Sequence, residues 1–169
     1  MEYTHYLELF NNAAASIDKQ LLQRKNLLMH VGVTLQSVVF KLYKAEWTSD
    51  SKDPLNAPSR IFFAIWVNEE TLRQDKIYYN IHAFKLRELK GYSIKSRDFA
   101  EKFRQAFKAF EHQWEHVSVQ FGPLTLMEGW KFLDKDDLGS VIEKWAYQFL
   151  QIEYIIDELL DKYLMQKSL

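Results

Sequence analysis

Arg60-Ile61-Phe62-Phe63-Ala64-Ile65-Trp66-Val67 is apolar on both parities, and a short polar connection, Asn68 to Asp75, leads from it into Lys76-Ile77-Tyr78-Tyr79-Asn80-Ile81-His82-Ala83-Phe84-Lys85-Leu86. A strand can be apolar on both sides only where both faces of its sheet are covered, so residues 60–67 read as a central strand. A connection this short most naturally joins antiparallel neighbours. The sheet is therefore built from strands adjacent in sequence, unlike the alternating pattern of a doubly wound α/β fold.

Outward from this pair, Val33 to Trp47 is rich in Val, Thr, Phe and Tyr and reads as a strand. The Ser, Asp, Asn and Pro residues of Thr48 to Ser59 make a loop. Toward the N-terminus, Leu7, Phe10, Ala14, Ile17, Leu21 and Leu28 fall at helical spacing, which predicts one amphipathic helix from Tyr3 to about Leu28. Toward the C-terminus, Ser96 caps a helix carrying Phe99, Phe103, Phe107, Phe110 and Trp114. His116 to Phe121 alternates like a strand, Gly122-Pro123 breaks the chain, and Leu124 to Leu133 is a further strand or irregular. Leu138, Ile142, Trp145, Phe149, Ile152, Ile156, Leu159 and Tyr163 then alternate four and three apart, a heptad helix capped by Asp136 or Asp137. The expectation is an α+β fold, residues 1–169 forming a single domain. Its sheet, mostly antiparallel and of about four to five strands, is flanked by long N- and C-terminal helices and a middle helix.

A chain of 169 residues that is 47% apolar and 27% charged can bury a core without covalent staples. It contains no cysteine, which excludes disulfides, thiolate metal sites and cysteine nucleophiles. Its first residues carry no basic region followed by an apolar run, and no stretch is apolar enough to span a bilayer. A cytoplasmic protein with no membrane partner is expected.

Charge is unevenly spread. Residues 76–108 hold 9 basic against 3 acidic side chains, whereas residues 109–169 hold 5 against 11. The basic block is interleaved with Tyr78, Tyr79, Phe84 and Tyr92, a combination that can hold phosphates and stack bases. The competing reading is a solvated face compensated by the acidic C-terminal helix.

Five residues offer themselves as ligand-binding groups. Period two places Asn80 and His82 on one face of the strand from Lys76, where a covered His beside an Asn is either an anchor for a ligand or satisfied by its neighbours. Lys85 and Arg87, with Arg97 near a helix N-terminus, make a clamp for phosphate or carboxylate. His112-Gln113-Trp114-Glu115-His116 resembles the HxxEH motif of the inverted zinc metallopeptidases, which would make His112 and His116 metal ligands and Glu115 a base. The alternative is polar side chains around a core Trp114.

The order helix, three strands, helix, strand also resembles the PD-(D/E)XK nuclease core. That resemblance implies Mg²⁺-dependent cleavage with Asp75, Glu88 and Lys90 as the catalytic set. The sequence lacks glycine-rich phosphate loops and GxSxG. The leading expectation is a non-enzymatic binding or interaction domain without cofactor, contacting a protein partner or a second copy through the C-terminal helix. Nucleic-acid binding through 76–108, with or without nuclease activity, is the alternative.

Overall fold

In the computed structural model, which describes residues 1–165, five antiparallel strands lie side by side in sequence order. They are β1 (Leu28–Thr34), β2 (Ser37–Tyr43), β3 (Arg60–Val67), β4 (Lys76–Phe84) and β5 (Thr125–Phe132). The helices are α1 (Tyr3–Ala15), α2 (Lys19–Arg24), α3 (Glu69–Arg73), α4 (Ser96–Phe107) and α5 (Leu138–Lys162). The fold is α+β, with β3 as the middle strand, as its two-sided apolar character requires. No helix among the described residues is long and apolar enough to cross a membrane.

Period two sorts each strand into two faces. Phe40 and Leu42 of β2, Phe63 and Ile65 of β3, and Tyr79 and Ile81 of β4 face the helices and are buried. Helix α5 lies across this face, with Phe149 stacked on Phe63 at 4.5 Å and 4° and Trp145 edge-on to Tyr79 at 4.5 Å. Helices α1 and α4 both pack on α5, α1 also on β1 and β2 and α4 also on β5. The heptad positions Leu138, Ile142, Trp145, Phe149, Ile152, Ile156 and Leu159 are thus all core, between 0% and 4% exposed. The seam is filled by the protein's own sheet and helices.

Several boundaries differ from the sequence expectation. The N-terminal helix is two helices, because the Asp18 side chain accepts from the amides of Gln20 and Leu21 and starts a new one. Leu28, expected at the end of that helix, begins β1. The single strand expected over 33–47 lies within a hairpin, β1 and β2 turning at Leu35 and Gln36, both in the left-handed region at φ +49° and +66°. Trp47 lies beyond it in a 3₁₀ turn, buried, its indole donating to Asp157 at 2.8 Å. Residues 116–121 form one bridge, Ser118 to Glu128, in place of a strand, and 125–132 are β5.

Gly129 lies within β5, where a Cβ would come 2.1 Å from the Tyr79 hydroxyl and 2.7 Å from the Glu115 carbonyl that this hydroxyl donates to. Close approach of a buried tyrosine, not a tight turn, requires this glycine. Gly129→Ala is expected to cost about 1–3 kcal/mol by displacing Tyr79 from its hydrogen bond, read as a lower urea midpoint at unchanged m-value.

Candidate functional site: the open face of the sheet

With the three long helices on one face, the other face carries a second set of side chains. The strand register aligns them in rows. One row runs His30, Lys41, Ala64, Asn80 and Glu128 from β1 to β5. On one side of it lie Val39, Trp66, Tyr78 and Trp130; on the other, Phe62 pairs with His82 and, beyond them, Arg60 with Phe84. On β3, Ala64 sits between Phe62 and Trp66, so a small residue leaves a notch between two large ones. The notch forms the floor of a cleft of about 200 Å³, bounded by Lys41, Arg60, Trp66, Asn80, His82 and Phe84.

The cleft is electropositive and incompletely satisfied. The Lys41 side chain is held over the Phe62 ring, its ammonium 5.1 Å from the ring centre. The residue is only 8% exposed and has no hydrogen bond or ion pair among the described residues. Arg60 lies over Phe84 at 4.7 Å and its Nη1 donates to the Ala57 carbonyl at 2.9 Å, while its buried Nε–H has no acceptor among the described residues. His82 stacks on Phe84 at 4.7 Å, and its buried Nε2 has no partner among the described residues. Asn80 donates to Glu128 at 3.4 Å, and its buried Oδ1 has no partner among the described residues. No Asp or Glu lines the cleft among the described residues. Lys44, three residues along, shows the contrast: its ammonium is paired with Glu153 at 2.9 Å and with Asp157.

These surroundings displace the titrations. Burial, and then the neighbouring Arg60, hold the Lys41 ammonium below the usual lysine range. Burial first, then Lys41 and Arg60, push His82 down to about 3, so its imidazole is neutral at pH 7. Glu128 is raised by burial, with the Asn80 hydrogen bond opposing.

A histidine whose folded pKa lies below its unfolded value makes the unfolded chain the better proton acceptor, so its contribution is complete above about pH 6.5 and is lost as pH falls toward 3. The expected loss for His82 is about 2 kcal/mol between pH 7 and pH 5. His30, also lowered, adds in the same direction. Denaturant titrations of the protein and of His82→Leu check this: the variant is expected to have the shallower pH dependence.

The sequence-derived candidates are distributed as follows. Asn80 and His82 line the cleft. Lys85 and Arg87 follow the end of β4, exposed and outside the cleft, with Lys85 at φ +49°. Arg97 is exposed in the first turn of α4, beside a different groove that also contains Arg104 and Lys108. The Arg104 guanidinium is committed to the carbonyls of Phe121, Gly122, Thr125 and Leu126. Asn80 and His82 thus share the cleft, and Lys85, Arg87 and Arg97 lie outside it.

Asp75 stands before the first residue of β4 and Glu88 and Lys90 beyond its last, so the nine-residue strand separates them by roughly 30 Å. The nuclease triplet is not brought together. His112 lies in a 3₁₀ turn and His116 at φ +48°, stacked on Trp130 at 3.9 Å, so the pair lacks the single α-helical turn the zinc motif uses. Among the described residues no group of three or more His, Asp or Glu is placed to hold a metal ion.

Of the aromatics in the basic block, Tyr79 is core and Tyr78 stacks on Trp66. Trp130, on the same face as Tyr78, is covered by the ring of His116 and by the Lys76 ammonium at 3.9 Å. Lys41 and Arg60 escaped the sequence reading; the available signal was a lone lysine inside the apolar run Val38-Val39-Phe40-Lys41-Leu42-Tyr43. No protein-family model matches the chain, and no curated protein or solved structure matches it significantly.

Proposed function

We propose that this chain is a non-enzymatic binding domain, acting in the cytoplasm, that takes a small oxyanion into the open-face cleft. The observation that supports the reading is the juxtaposition of Lys41 and Arg60, two cations with no acidic partner among the described residues, in a cleft also lined by Asn80 and His82. Each such group costs free energy in the empty protein. A carboxylate or phosphate beside Lys41 and Arg60 supplies the counter-charge the cleft lacks, and charge-assisted bonds to it are the strong class. Arg60 suits the task because its Ala57 bond orients the guanidinium plane in advance.

The test is thermal melting and calorimetric titration with benzoate and with inorganic phosphate at constant ionic strength. Binding raises the melting temperature with ligand concentration in the protein and not in Lys41→Met or Arg60→Met. Absence of any oxyanion effect on the unmodified protein contradicts the reading.

A second reading rests on Lys85, Arg87, Lys90, Lys95 and Arg97, all exposed around the β4–α4 connection, which favour a polyanion such as nucleic acid. Anisotropy with labelled DNA and RNA at low and moderate salt tests it: the Lys85→Glu, Arg87→Glu double variant is expected to bind more weakly and with a flatter salt dependence.

A further inference from the structure

We infer that the free edge of β1 pairs with the same edge of a second copy, antiparallel across a two-fold axis, joining two five-stranded sheets into one. The two edges of the sheet are finished differently. On β5, Leu126, Glu128 and Trp130 present backbone groups away from β4, and each is covered. The Leu126 carbonyl accepts from Arg104 Nε at 3.1 Å, Glu128 exchanges both of its backbone bonds with Ser118, and the Trp130 carbonyl lies 3.1 Å from His116 Nδ1.

On β1 the corresponding groups are open. The two-residue turn at Leu35 and Gln36 makes Thr34 and Ser37 a hydrogen-bonded pair, so Thr34, Gly32, His30 and Leu28 bond to β2 while Met29, Val31 and Val33 turn their N–H and C=O groups outward. None of these outward groups has a hydrogen bond among the described residues. The strand also lacks the features that keep an edge from pairing: it contains no Lys, Asp, Glu or Pro, and its register with β2 runs without a bulge.

The occupant that fits this edge is the strand itself. Pairing centred on Val31 sets Met29 opposite Val33 and Val31 opposite its own counterpart, so outward groups meet outward groups along the whole strand. On the side facing the helices these three positions make an apolar row. On the open face His30 stands opposite Gly32 and Leu28 opposite Thr34, a larger residue against a smaller one each time.

Beyond the strand, the same register brings Leu35 of each copy level with Leu27 of the other. Leu35 is 93% exposed and held at φ +49°, a conformation unfavourable for any side chain, and it buries almost nothing within its own chain. Leu27 lines a groove of about 530 Å³ together with Leu22, Leu28, Met29 and Ala45. An exposed leucine thus meets an apolar groove at both ends of the seam, and the costly turn acquires a purpose.

Sedimentation of the full chain over a wide range of concentration, with amide hydrogen exchange at the two extremes, tests the pairing. Mass is expected to rise from one chain to two, and the amides of Met29, Val31 and Val33 to exchange about tenfold or more slowly in the concentrated sample. Val33→Lys sets a charge against Met29 at both ends of the seam and is expected to raise the dissociation constant about tenfold or more. Leu35→Asn separates an interface from a structural role, since Asn suits the left-handed turn: the urea midpoint of the dilute monomer is expected to rise while the dimer weakens. The exchange measurement on the unmodified protein decides the matter even where a variant does not fold. A chain that stays monomeric at every concentration, or a dimer in which these three amides exchange as fast as in the monomer, overturns the inference.

Discussion

Lys41→Met is expected to make the protein more stable and at the same time unable to hold its ligand. The residue is 8% exposed, and its ammonium lies over Phe62, without an ion pair among the described residues and near the Arg60 guanidinium. Methionine keeps the stem's volume and removes the charge and its repulsion with Arg60. Replacing buried ionic groups by apolar ones of similar size is commonly neutral or stabilising. Some cation–π attraction to Phe62 is lost, so the net gain expected is about 1 kcal/mol. Oxyanion affinity falls by roughly 30- to 100-fold, since a charge-assisted bond of about 2–3 kcal/mol disappears. A charge kept where it costs stability is the mark of a site held for binding. Chemical denaturation beside a benzoate titration measures both effects; lower stability in the variant, or unchanged affinity, contradicts this account of Lys41.

Phe149→Ala is expected to cost about 3–5 kcal/mol, the range for removing a buried aromatic from a core that cannot collapse around the gap. Its ring stacks on Phe63 at 4.5 Å and meets Trp47 edge-on at 6.2 Å, so one truncation strips two aromatic contacts at the centre of the helix-facing side. The same substitution distinguishes core from interface. A seam between chains would lose mass in sedimentation as it lost stability, whereas a core position loses stability with mass unchanged at every protein concentration. The second outcome is expected, because the whole seam from Leu138 to Leu159 is already buried in the chain.

The sequence disclosed the fold through features that are local and periodic. The two-sided apolar character of 60–67 identified the middle strand, and the four-three spacing after Leu138 identified the longest helix. What it hid was set by contacts distant along the chain. The β1–β2 hairpin turns on Leu35 and Gln36, neither of which favours the left-handed conformation, so no turn chemistry marks the place. The heptad of α5 carries the same pattern whether it meets a second chain or its own sheet, and only the arrangement of the sheet decides.

The candidate site was half legible for the same reason. Asn80 and His82 lie two apart on one strand, and alternation places them together. Lys41 and Arg60 reach the same cleft from two other strands, brought there by register alone. Lys85 and Arg87, read with Arg97 as a separate clamp, follow a strand end and stand outside the cleft.

The central claim is that the oxyanion site is the open-face cleft and not the exposed basic segment. The most direct test is to follow backbone amide shifts of the full chain as benzoate is added at pH 7 and fixed ionic strength. Saturable shifts clustered at 39–41, 60–66 and 80–84 are the predicted result. Shifts confined to 85–108, or small linear drifts at exposed lysines and arginines across the molecule, would contradict it.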